Sequence, residues 1–226
     1  MTQTVDKVGS EPGGRPRRDP LTRTRVIGAA LEIMDADGVD AVTMRRIGRE
    51  LGVEAMSLYN HVRDKEDILD GITELVMSRF EFPPTTGDWG RDARAMAGEW
   101  RRLLGQHPGL MQLLAERHKP LESLAAFRPM EAALEVFRRA GLPPREAAQA
   151  FNAFGGYLMG FVMMEQGLMP GGAHREHDRD EVVDALQAAG LPNVLECLQY
   201  FEECPTDEQF EFGLDLLIRG LVSRTA

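Results

Sequence analysis

The sequence predicts an all-α chain: a short N-terminal group of three helices followed by a longer helical domain. Three observations predict it. Apolar residues recur at three- and four-residue spacing along nearly the whole chain, and no segment sustains period-two alternation. Pro108, Pro120, Pro129 and the pair Pro143-Pro144 fall between the periodic segments, where a helix tolerates proline at its start. Leu51-Gly52-Val53 interrupts two short periodic stretches, as the turn between two packed helices would.

Residues 1–20 are rich in Gly, Pro and Arg and are expected to be disordered, because they cannot bury enough apolar surface. RPRR within them reads either as a solvated tail or as an arm that touches phosphate or a minor groove. Val26, Ala29, Ala30, Ile33 and Met34 then mark a first helix over about 22–37, with Thr22 as N-cap and Gly38 beyond its end. Thr43 caps a second, whose buried side is Met44 or Ile47 with Leu51. A third runs over about 55–61, anchored by Leu58 and Val62. Asp64 caps a fourth, with Ile68, Leu69, Ile72, Leu75, Val76 and Phe80 on one side. Further helices are expected near 88–106, 109–117, 129–140, 144–166, 180–189, 193–203 and 207–223, and a loop over 167–180. The chain is expected to divide into an arm over 1–20, a short helical domain over 21–66 and a longer helical domain over 67–226, with the helix at about 65–81 connecting the last two.

The net charge of −10 argues at first against nucleic acid, but its distribution does not. Residues 1–66 hold 11 basic and 11 acidic side chains, so the acidic excess belongs to the rest. Arg45, Arg46, Arg49, Arg63 and Lys65 form a local basic stretch that can meet phosphate. No apolar run reaches the roughly 18 residues of a membrane span, and no secretion signal opens the chain. Cys197 and Cys204 have neither metal-knuckle nor disulfide-framework spacing, and are read as helix thiols of a reducing, cytoplasmic protein.

Two short helices across Leu51-Gly52-Val53 have the form of a helix-turn-helix, whose second helix enters the major groove. With Leu58 and Val62 turned inward, Ala55, Met56, Ser57, Tyr59, Asn60 and His61 are left more exposed. Ser57, Tyr59 and His61 can donate to phosphate, Asn60 can pair with adenine, and Met56 can meet a thymine methyl. Tyr59 packed on the first helix is the alternative. Ser57 and His61 lack the strained elbow of acyl transfer, and His61 has no ligand partner at four-residue spacing, so neither catalysis nor a metal is expected there.

TMRRIGRELGVEAMSLYNHVRDKEDILDGI resembles the DNA-binding domain of the tetracycline-repressor family. Thr43, Arg45, Leu51-Gly52-Val53, Leu58-Tyr59, His61-Val62 and Lys65 carry the resemblance, and FEFGLDLLIRGL at 210–221 resembles that family's closing helix. The resemblance implies a homodimeric regulator that binds a palindromic operator in double-stranded DNA and is released by a small-molecule inducer. It implies that Arg45 reads a guanine, that Thr43 holds phosphate, and that Met56, Ser57, Tyr59, His61 and Lys65 stand at contact positions. Asn60 departs from the aromatic residue of the family's tetracycline-responsive branch, which implies a different operator.

A middle rich in methionine and aromatic residues is expected to be core or an adaptable, largely apolar ligand pocket. The candidates are Trp100, Leu104, Met111, Leu114, Arg117, His118, Phe127, Met130, Leu134, Phe154, Met159 and Met163. His107, Glu116, Glu165 and Gln166 are further polar groups that could orient a ligand. Phe151, Leu158, Phe161 and Val162 on one helix, with Leu214, Leu217, Ile218 and Leu221 on the last, are the expected dimer interface, by resemblance to a four-helix bundle; intrachain core is the alternative. No cofactor or metal is expected. In the family's tetracycline-responsive branch, histidine and acidic side chains hold a magnesium–drug complex. The corresponding positions here are Ala115, Met164 and Phe80 or Glu81, which implies no magnesium–tetracycline response. His174 and His177 form an HxxH pair in the expected loop, where solvation is the better reading. A helical enzyme is the rival class, but no triad, phosphate loop or metal constellation supports it. A protein–protein adaptor is the other.

Overall fold

Four of the first five helices begin at a side chain that accepts a hydrogen bond from their free amide groups. The computed structural model describes residues 20–116, 127–168, 179–202 and 207–225. Among them are eleven α-helices and no strand. Helix α1 is Arg23–Asp37, followed by the short 3-10 turn Val39–Ala41, α2 Met44–Leu51, α3 Ala55–Leu58 and α4 Lys65–Met77. Helices α5 Trp89–Gln106, α6 Pro108–Glu116, α7 Arg128–Arg139, α8 Pro144–Glu165, α9 Arg179–Ala188, α10 Pro192–Glu202 and α11 Asp207–Thr225 follow. The residues 1–19, Arg117, His118, His174, His177 and Cys204 lie outside the described residues.

Thr22 accepts a hydrogen bond from the Arg25 amide at 3.2 Å, and Thr43 one from the Arg46 amide at 3.2 Å. Asp64 accepts from the Asp67 amide at 2.8 Å, and Asp88 from the Gly90 amide at 2.9 Å. Val26, Ala30, Ile33 and Met34 of α1 are buried against α4, whose Ile68, Ile72 and Val76 have no exposed surface. A Cβ at Gly71 would lie 2.6 Å from Ile27 Cδ1, so α1 and α4 approach as closely as a glycine allows. Asp67, 8% exposed, joins them through Arg23 NH2 at 2.8 Å and the Arg63 amide at 2.9 Å. Burial alone would raise the Asp67 carboxyl; the Arg63 amide and the Arg23 guanidinium outweigh it and hold it below the usual carboxylate range.

Helices α5, α7 and α8 pack on one another, and α11 lies on α8. Arg101 locks that corner: its Nε is 3.0 Å from Glu165, its NH1 2.8 Å from Asp207, and its guanidinium stacks 4.5 Å from the Phe210 ring centre. Arg94 pairs with Asp215 from the same side. The Tyr157 hydroxyl donates to the Phe210 carbonyl at 2.8 Å, and Gly213 makes room for its ring. Phe161, Val162, Leu214 and Ile218 are buried within this single chain. They were expected at a dimer interface together with Leu217 and Leu221, which are half-buried. The outward row of α11 is Phe212 and Leu216, 66% and 59% exposed, and Gly156 and Gly160 of α8 have open space beside them. The apolar stripe of α11 is wide enough to bury Leu214 and Ile218 while leaving Phe212 and Leu216 exposed.

Candidate DNA-reading face and ligand cavity

The turn between α2 and α3 is built by two glycines. Gly52 has φ +66°, the left-handed conformation that ends α2. Gly48 is buried four residues earlier, and the Val53 amide donates to its carbonyl at 2.9 Å. A Cβ on Gly48 would lie 2.9 Å from the Val53 oxygen and 3.2 Å from the Ala55 nitrogen. The sequence reading singled out Gly52 and missed Gly48; its four-residue spacing from Gly52 was the available signal.

Ile47, Leu58 and Val62 fix the reading unit from inside, with Leu58 fully buried. Burial of one such leucine is worth ~1.5–3 kcal/mol. Regular α3 is one turn, shorter than the expected 55–61. The chain continues through a turn, in which the His61 amide donates to the Leu58 carbonyl at 2.8 Å and the Val62 amide to the same oxygen at 3.1 Å. With only Leu58 and Val62 as anchors, nothing holds a longer regular helix against the cost of nucleation. The arrangement leaves Met56 and Tyr59 72% and 49% exposed, so the packed alternative for Tyr59 does not occur. Asn60 is exposed; Ser57, His61 and Lys65 are half-buried at the same rim. Arg45 and Arg49 of α2 are exposed and form no ion pair with another described residue. Arg46 turns back to Asp37 at 2.9 Å, which ties α2 to the end of α1.

In the second half, α5, α6, α7 and α8 enclose a cavity of about 250 Å³. Small residues in its lining are Ala93, Ala97, Ala133 and Gly155. Aromatic ones are Trp100, Phe137, Phe151 and Phe154. Met96, Leu104, Leu114, Val136, Leu158 and Met159 complete the lining. The Trp100 indole N–H is the one polar side-chain group in that set, so the cavity can solvate no charge.

These two features are those of a DNA-binding regulator with a sensing domain, and comparison with known proteins agrees. Residues 26–72 match the family described as bacterial regulatory proteins, tetR family, and residues 83–225 match the tetracyclin repressor-like C-terminal domain. The chain belongs to the tetR family. A relative from Streptomyces coeruleorubidus, the HTH-type transcriptional repressor DrrR1, is 33% identical over 92% of this chain and 81% of its own. The class D tetracycline repressor protein of Escherichia coli is 29% identical over 88% of each. The crystal structure of ActR from Streptomyces coelicolor in complex with actinorhodin superposes with a TM-score of 0.73 at 27% identity, covering 92% of this chain and 99% of that one. The activity that accompanies this membership is ligand-responsive transcriptional regulation through DNA, not catalysis. No helix among the described residues is long and apolar enough to cross a membrane.

The tetR-family cavity here gathers some of the residues anticipated for it. Trp100, Leu104, Leu114, Phe154 and Met159 line it. Met111 and Met163 line a neighbouring cavity instead. Phe127 and Met130 are 40% and 38% exposed on or beside α7 and line neither, and Leu134 is half-buried outside both. Phe151 and Leu158, anticipated at the dimer interface, face the cavity. The small lining residues escaped notice because alanines carry no signal beyond helical periodicity. Three of the polar groups suggested as ligand handles are engaged elsewhere: Glu165 with Arg101, Gln166 with the Leu104 carbonyl at 3.1 Å, and His107 with Asp35 at 2.7 Å.

Proposed function

We propose that this chain is a cytoplasmic, homodimeric repressor that leaves a palindromic operator when an uncharged, largely apolar small molecule enters the α5–α8 cavity. The lining of that cavity carries the reading: aromatic, aliphatic and small side chains, with no ionisable group among them. In this reading residues 21–66 read DNA, residues 67–226 sense the ligand and dimerise, and α4 connects them. Arg45 reads a guanine, Thr43 holds phosphate, and Met56, Ser57, Tyr59, Asn60, His61 and Lys65 form the remaining contact set. The N-terminal arm is left out of this assignment. Dimerisation uses the outward rows of α8 and α11, with Phe212 and Leu216 seated on Gly156 and Gly160 of the other copy. A pair of half-sites about 34–36 Å apart then receives the two reading helices.

ActR binds actinorhodin, and a single-substitution variant of the TetR of Acinetobacter baumannii binds minocycline. This chain takes a ligand without a magnesium bridge, because the cavity offers neither imidazole nor carboxylate to hold one. The test is selection of bound duplexes from random DNA, followed by a thermal-shift screen of neutral aromatic and charged compounds. Palindromic winners and stabilisation by neutral compounds alone are expected. Recovery of no sequence preference, or tight magnesium-dependent tetracycline binding by calorimetry, would overturn it.

A further inference from the structure

His107 is 6% exposed and stands at the corner between α5 and α6. Its Nδ1 is 2.7 Å from Asp35 Oδ2 on α1, and its Nε2 is 3.3 Å from Arg79 NH1, just past α4. A guanidinium only donates, so Nε2 accepts from Arg79 and the Nδ1–H donates to Asp35. Both ring nitrogens are therefore used, and three elements meet on one imidazole. The second Asp35 oxygen is buried without a protein partner, so His107 is the one hydrogen-bond partner of that carboxylate among the described residues.

The seam between α1 and α6 is tight beside this ring and loose further along. A Cβ at Gly109 would lie 2.5 Å from Met34 Cγ and 2.9 Å from the Met34 oxygen. Beyond it a second cavity of about 460 Å³ separates Met34, Asp35 and Gly38 from Met111, Met159 and Met163. Met159 also lines the α5–α8 cavity, so the two spaces share a wall. Helix α6 lines both spaces, through Leu114 and Met111, and His107 just before it is bonded to α1. The Asp37–Arg46 pair in turn ties α1 to α2.

We propose that His107 is a positioning residue that couples the DNA-reading helices to the ligand cavity by holding Asp35 of α1 on the α5–α6 corner. The proposal rests on the ligand-release reading above. Coupling is reciprocal, so DNA binding must be felt at the cavity without any ligand. Trp100 is on the cavity wall, and Trp89→Phe leaves it as the single tryptophan of two. Its emission is followed as the full-length Trp89→Phe protein is titrated with a duplex recovered by selection.

The background protein is expected to show a Trp100 change on binding. His107→Asn places an amide N–H near the Nδ1 position and keeps most of the response. His107→Gln reaches towards Arg79, leaves Asp35 unpaired, and reduces the response by about fivefold or more. Asp35→Ala breaks the link from the other side and gives the same loss should the Gln variant not fold. A role in stability alone would make Asn and Gln equivalent. A full response in His107→Gln or Asp35→Ala, or equal loss in the Asn and Gln variants, overturns the proposal alone. A background protein that binds the duplex with no Trp100 change overturns the ligand-release reading and this proposal together.

Discussion

Arg45 and Asp67 show how differently two charged side chains of one small unit behave. Arg45 is exposed and unpaired among the described residues, so its charge is available to DNA rather than to the fold. Arg45→Ala is expected to cost ~1–3 kcal/mol of operator binding and to relax preference at one base pair, with an unaltered melting temperature. Affinities for a panel of single-base operator variants check this. Asp67 is the opposite case, nearly buried and bonded to Arg23 and the Arg63 amide. Its folded carboxyl is held below the ordinary range, so its contribution is complete above the unfolded value near about 4 and is lost as pH falls through the folded value. Asp67→Asn is therefore expected to lose about 2 kcal/mol at neutral pH. The gap from the parent protein should narrow below about pH 4. Urea titrations across that range give the comparison. Asn60, the position at which the resemblance implied a departure, is exposed beside Tyr59.

At the scale of elements, glycine contacts separate necessity from tolerance. Gly48→Ala forces a Cβ to 2.9 Å from the Val53 oxygen, between α2 and the start of α3. It is expected to destabilise by ~1–3 kcal/mol and to weaken DNA binding further by displacing α3. Gly98 of α5 has nothing within 4 Å of its added Cβ, so Gly98→Ala is expected to stabilise by ~0.5–1 kcal/mol. Thermal melts of the two variants should move in opposite directions. The helices themselves were readable because caps and prolines mark them locally: Thr22, Thr43, Asp64 and Pro144 stand at the starts where they were expected. What was not readable is which apolar residue meets which. Periodicity places Phe161 and Phe212 on a helix, but only packing shows that Phe161 is 1% exposed and Phe212 66%. The same limit explains the cavity. Phe127 and Met130 resemble lining residues by composition, whereas Ala133 and Gly155 resemble filler, and the fold uses the second pair.

Over the whole molecule, the charge is divided by task. The acidic excess lies outside residues 1–66, which limits non-specific adhesion of the rest of the chain to DNA and, in the proposed reading, leaves that contact to residues 21–66. In the proposed dimer two reading faces act together, because one helix-turn-helix makes few contacts. Phe212→Glu with Leu216→Glu should therefore give a folded monomer by light scattering, with operator affinity lower by ~100-fold or more. The central claim is that a neutral occupant of the α5–α8 cavity and the operator compete through the conformation of one protein. The direct measurement is operator affinity with and without a saturating thermal-shift hit, beside the affinity of that compound with and without operator. The account predicts that each weakens the other by the same factor, ~5–150-fold. A compound shown to occupy the cavity that leaves operator affinity unchanged would contradict it.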